Sequence, residues 1–183
     1  MHFYDIMPPM NIPLDNIINF HLVRTQCHID CLNYFAGLLD ATFPAHDCDK
    51  FTEPYKTGYA YRNYMAYHPD MKMLPQHLEL CRRVHDEHHH LQAHHIGSWD
   101  DVRQIPKIIL TEMVCDWHSA NFEQLEIQKS SEYENVRAFF DRVMAPLSWT
   151  DAQREFILEL VDLLARRTDS GAVRAIWTPA LEL

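Results

Sequence analysis

The sequence predicts an all-α fold, a single-domain helical bundle, on three observations. Only four of the 183 residues are glycine, which leaves little material for tight turns and none for a glycine-rich phosphate loop. Long stretches repeat their apolar residues at helical spacing. Prolines and Ser/Thr–Glu/Gln pairs stand where such helices would begin.

The first helix is expected from about Leu14 to Leu39, with Ile17, Ile18, His21, Val23, Cys27, Leu32, Phe35, Leu38 and Leu39 on its apolar face. The next segment, Ala41 to Asp49, is interrupted by Pro44. The tyrosine-rich run from Pro54 to Tyr67 reads as a helix with a loop. Pro75 suits a first helical position and opens a helix through QHLELCRRVHDEHHHLQAHH, which Gly97 should stop. Pro106 opens another, through KIILTEMVCDWHSANFEQLEIQ, with Ile108, Ile109, Met113, Trp117 and Ala120 toward the core. Ser131 with Glu134 reads as a capping box for a helix through Met144. Thr150 with Gln153 reads as another, starting the last long helix, which runs to about Arg167. The tail from Thr168 to Leu183 carries no clear signal. With no internal repeat, linker or second core, residues 1–183 read as one domain. Its motif-bearing core spans about 14–128 and its C-terminal helices about 131–167.

Composition narrows the function classes. A hydrophobic content of 47% with 23% charged residues is that of a folded globular chain. The formal charge of −10 argues against a nucleic-acid polymer as partner, because phosphate backbones call for basic stripes. A small phosphorylated ligand is compatible with it. The five cysteines (27, 31, 48, 81 and 115) are odd in number and show no C-x-x-C pair, which fits reduced structural thiols. The opening stretch MHFYDIMPPMNIPLDN shows neither a basic nor a continuous apolar region of a secretory signal, and no run is long enough to cross a membrane. A cytoplasmic protein without a membrane partner is the expectation.

Histidine is what sets the chain apart. There are 13, and residues 84–95, VHDEHHHLQAHH, hold six of them. His21 and His28 lie seven residues apart on nearly one face of the first helix. His46 and Asp47 form a doublet, with Lys50 three residues on. His85, His88 and His89 share a helical face, whereas His94 and His95 read as solvated. Asp116, in EMVCDWHSA, lies on or beside a buried stripe, where an unpaired carboxylate costs several kcal/mol. Histidines and carboxylates from separate elements suit a divalent metal ion.

These motifs resemble the HD-domain superfamily of metal-dependent phosphohydrolases. The chain is most similar to a small HD-like family with an early H-x-x-x-x-Q helix, an H-D-x-S-K-F/L motif, a His-rich segment and an EMxCDW helix. Here they read HLVRTQ from His21, HDCDKF from His46, the run His85 to His95, and EMVCDW from Glu112. Asp49 stands where that family has serine, and its Asn before paired histidines has no clear counterpart. The resemblance covers about residues 18–125. It implies His21, His46, Asp47 and Asp116 as ligands of a first metal, and His85 with His88, His89 or His90 as ligands of a second. His21 is preferred over His28 because Gln26 completes the family helix. One or two ions of Mn, Fe, Co, Ni, Zn or Mg are implied.

Asp47 would bridge the ions as a catalytic residue, and Lys50 would meet a phosphate or order a carboxylate. The other reading of Lys50 is a surface lysine paired with Asp49 or Glu53. Arg82, Arg83 and Tyr55 are further phosphate-binding candidates. The implied activity is hydrolysis of a small phosphorylated molecule, nucleotides included. The alternatives are a di-iron oxygenase of the HD type and a metal- or ligand-binding protein without turnover. The resemblance also allows a homodimer, although no interface is marked.

Overall fold

A computed structural model describes residues 12–70 and 73–183, so the expectation of no secretory signal falls largely outside the described residues. Among the described residues there are seven α-helices and no strand. They are α1 (Leu14–Leu38), α2 (Tyr55–Tyr67), α3 (Pro75–Leu91), α4 (Lys107–Phe122), α5 (Val136–Phe139), α6 (Asp151–Arg167) and α7 (Ser170–Leu181). The single all-α bundle is therefore as expected. No helix among the described residues is long and apolar enough to cross a membrane.

α1 is the central post. It packs against α2, α4 and α7, while α3 leans on α2 and α6 on α4. The main core gathers Leu32 and Phe35 of α1, Leu110, Met113 and Val114 of α4, Ile157, Val161 and Leu164 of α6, and Trp177 of α7. Ile17, Ala60, Tyr61 and Cys81 form a smaller cluster where α1, α2 and α3 meet. Burying such side chains stabilises each by about 1.5–3 kcal/mol. All five cysteines are free, and Cys48 alone is exposed.

Several boundaries differ from the expectation. α3 begins with Pro75 at its first turn but ends at Leu91, because Gln92 turns to an extended conformation (φ −89°, ψ 122°). Gly97 therefore does not stop that helix. A Cβ there would lie 3.0 Å from the His89 carbonyl oxygen, so the glycine permits the loop to fold back on the helix end. α4 runs to Phe122 and loosens into a π-helical turn over Glu123–Gln128. It is buried on nearly all sides, except that Ile108, expected in the core, is 51% exposed.

Ser131 and Glu134 do not form a capping box. Ser131 bonds the Tyr133 backbone, and Asn135 caps α5 by accepting from the Ala138 amide. The Thr150–Gln153 box is present in full at the start of α6. The unassigned tail forms α7, capped by Asp169.

Candidate metal centre

Four pieces of chain converge beside α1. α1 brings His28. The segment after α1 brings His46 and Asp47, which precede a 3-10 turn over Cys48–Phe51. The end of α3 brings His88, and the loop beyond it His94 and His95. α4 brings Glu112 and Asp116. His28, His46, Asp47, His88, His94, Glu112 and Asp116 are all buried, and His95 is partly so. Asp47 adopts left-handed backbone angles (φ 55°, ψ 19°), a conformation Asp and Asn tolerate better than most residues.

Two donor groups meet at the Asp47 carboxylate. On its Oδ2 side, His28 Nε2 lies 3.9 Å away and His46 Nε2 3.7 Å. Asp116 Oδ1 closes that group, 2.9 Å from His28 Nε2 and 3.7 Å from His46 Nε2. On the Oδ1 side, His88 Nε2 lies 3.1 Å away and His94 Nε2 3.5 Å, with His95 completing the group. Metal bonds of about 2.0–2.2 Å place neighbouring donor atoms roughly 3 Å apart, so both groups are of metal-binding size.

The hydrogen bonds behind the rings point the same way. His46 Nδ1 donates to Glu112 Oε1 at 3.0 Å, and His88 Nδ1 donates to Asp49 Oδ2 at 2.8 Å. Ser119 gives its hydroxyl proton to the His28 carbonyl (3.1 Å), which leaves its oxygen to accept from His28 Nδ1 at 3.0 Å. With Nδ1 of each ring held from behind, Nε2 of His46 and His88 is left on the Asp47 side and Nε2 of His28 lies between Asp116 and Asp47. Such an arrangement orients imidazole ligands for a metal that takes the place of an Nε2 proton. His46 Nε2, Asp47 Oδ1, His88 Nε2, His94 Nε2 and His95 Nε2 are buried without a hydrogen-bond partner among the described residues. The ring nitrogens are close to carboxylate oxygens yet misaligned for hydrogen bonding, as donors aimed at a shared cation would be. The residues present thus fit one or two metal ions.

Charge tells the same story. Burial by itself would raise the Asp47 and Asp116 carboxyls, but neighbouring Lys50, His88 and His94 at Asp47, and His28 and His46 at Asp116, hold both well below the usual carboxylate range. Burial opposes a charge on His46, yet Asp116, Glu112 and Asp47 outweigh it and raise its pKa to about 10. In the metal-free chain a proton on His46 and the Lys50 ammonium, 2.7 Å from Asp47 Oδ2, supply positive charge that these carboxylates demand. Lys50 is buried, with its ammonium 4.6 Å from the centre of the Tyr59 ring. It is thus not a surface lysine.

Of the expected ligands, the structure brings together His46, Asp47, His88 and Asp116. It does not bring His21 there. His21 Nε2 donates to the Lys50 carbonyl at 2.9 Å, and its Nδ1 accepts from Asn63 at 2.9 Å and Thr25 at 3.2 Å. Both nitrogens are committed, and His28 stands in its place. His85 and His89 also lie outside the two groups. They stack on each other at 4.0 Å, and His89 stacks on His95 at 3.9 Å. His94 and His95, expected to be solvated, are instead members of the second group, because the chain leaves the helix at Gln92. Arg82 is exposed and paired with Glu79, away from the cluster. Glu112, which the sequence places one helical turn before Asp116, meets the back of the His46 ring.

A family model described as a family of unknown function, DUF5662, matches residues 18–163, a span that contains every donor named above. No curated protein and no solved structure matches the chain.

Proposed function

We propose, for a chain that belongs to the DUF5662 family of unknown function, that it is a two-metal phosphohydrolase acting on a small phosphorylated molecule. The observation that carries this reading is the Asp47 carboxylate, which offers one oxygen to each of two histidine-rich donor groups. Paired metal positions that share a carboxylate recur where phosphate esters are hydrolysed. His28, His46, Asp47 and Asp116 would hold one ion, and His88, His94 and His95 the other together with Asp47. When bound, such ions supply Lewis-acid polarisation of a phosphate ester and a water of lowered pKa. The set His28, His46–Asp47, Asp116 also completes the H…HD…D pattern of the HD-domain resemblance.

The protein's own groups have separable tasks. Glu112, Asp49 and Ser119 hold the rings of His46, His88 and His28 in the ligating tautomer. Lys50, held beside Asp47, contributes a buried positive charge that suits a phosphate oxygen. Net hydrolysis consumes one water and returns an alcohol and phosphate.

The test is elemental analysis of protein purified without chelators, followed by phosphate release from a panel of nucleotides and phosphomonoesters. Asp47→Asn is the preferred variant because Asn keeps the left-handed backbone. It should lose metal at both positions and lower turnover by about 100-fold or more. Undiminished phosphate release from that variant would sink the proposal. The second group supports another reading, since three imidazoles with one carboxylate suit iron better than magnesium. Two irons per chain and substrate-dependent oxygen consumption would put an HD-type di-iron oxygenase in place of the hydrolase. Bound metal with neither activity would leave a binding protein.

A further inference from the structure

The two donor groups that meet at Asp47 are not equally ready for an ion. In the group of His88, His94 and His95, all three Nε2 atoms and Asp47 Oδ1 are buried and make no aligned hydrogen bond among the described residues. His88 and His94 Nε2 lie 3.1 and 3.5 Å from that oxygen, close to the roughly 3 Å that separates neighbouring ligands of one ion. Unpaired buried polar atoms are costly, and a single cation would relieve all four.

The group of His28, His46 and Asp116 is already engaged in contacts of its own. His28 Nε2 lies 2.9 Å from Asp116 Oδ1. Asp47 Oδ2 accepts from the Lys50 ammonium at 2.7 Å, and it stands 3.9 and 3.7 Å from the His28 and His46 ring nitrogens. Of these donor atoms, only His46 Nε2 is buried without a partner among the described residues. An ion here must part His28 from Asp116 and share an oxygen that an ammonium already holds. Lys50 is buried against Tyr59, its Nζ 4.6 Å from the ring centre, so its charge stays beside the incoming ion. Two cations that close repel strongly where little water intervenes.

We infer that the centre loads unequally: the group of His88, His94 and His95 takes the first ion and keeps it, and Lys50 makes the ion of the His28, His46 and Asp116 group the exchangeable one. This rests on the two-metal reading above and not on the reaction assigned to it. When the ion is scarce, the chain carries one, held by three imidazoles and Asp47 Oδ1. Only when it is plentiful does an ion compete with Lys50 for Oδ2 and complete the pair. A reaction that needs both ions would then follow metal supply, with Lys50 setting the threshold.

The test starts from the full chain saturated with Co²⁺, whose visible absorption reports the ligands of each ion, and draws the metal out with rising chelator. Loss should come in two steps whose midpoints differ by about 10-fold or more in free Co²⁺. His28→Ala should delete the early step and leave the late one. Lys50→Met, near in length and without charge, should bring the early step about 10-fold or more closer to the late one. The late step, retained in both variants, shows that each has folded. Loss of both ions together from the parent, an early step unmoved in Lys50→Met, or a late step deleted by His28→Ala would overturn the inference. Those outcomes leave two ions in the parent chain, and with them the two-metal reading. A parent chain that takes up no Co²⁺ would end both.

Discussion

Asp49 has no direct place among the candidate ligands, yet it accepts the Nδ1 proton of His88 at 2.8 Å. Asp49→Asn should weaken metal binding by about 10- to 100-fold, measured by chelator competition, and unchanged affinity would remove this role. His28→Ala should strip metal from the first group, whereas His21→Gln should keep full metal content. Metal loss in the second variant instead of the first would restore His21 as a ligand. Sequence spacing could not separate these two histidines. Seven residues return to nearly the same helical face but move roughly 10 Å along the axis, and only the level of Asp116 on α4 decides which ring meets it. The partners that commit His21 come from Lys50 and Asn63, 29 and 42 residues away, and no local pattern announces them. His46, Asp47 and Asp116 were legible because each departs from its neighbourhood: a charged doublet after a helix, and a carboxylate in an apolar stripe.

Helix identity followed from periodicity, but helix ends depended on where the signal lay. The Thr150–Gln153 box is local chemistry, and it is present as expected. The end of α3 is not local. His94 reaches Asp47 only because the chain straightens at Gln92, so tertiary demand from the centre overrides a run of residues that could continue a helix. Gly58 shows how closely neighbouring elements fit. A Cβ at this position of α2 would lie 2.5 Å from Val84 Cγ2 on α3. Gly58→Ala should therefore destabilise the fold by about 1–3 kcal/mol in urea denaturation, with part of the loss recovered when Gly58→Ala is combined with Val84→Ala. If Gly58→Ala alone proved as stable as the parent, α3 would be free to shift at no cost. Since α3 also carries His88, the same strain should be felt at the second donor group.

For the whole molecule, placing so many imidazoles inside one bundle ties stability to pH. Burial lowers the His21 pKa from 6.5 to about 4, with the Lys50 carbonyl only partly opposing it. Its folded value lies below its unfolded one, so the unfolded chain takes up the proton first as pH falls. The contribution of His21 is thus intact above about 6.5 and is lost between there and about 4, at roughly 1.4 kcal/mol per pH unit. His28, His89, His95 and His118 are shifted the same way by burial. Metal-free protein should therefore lose stability across that range in urea denaturation, and His21→Gln should reduce the slope; an unchanged slope would exclude a His21 contribution. The left-handed backbone at Asp47 (φ 55°) has a consequence of another kind, for descent rather than for chemistry. A lineage that gave up its metal could change His28 or Asp116 with regard to packing alone. Position 47 would stay under a conformational constraint of about 1–2 kcal/mol against most side chains, with Asn and Gly as its easiest exits. The bend in the chain would then outlive the donor groups, leaving a fossil of the cluster in the backbone after its side chains had drifted away.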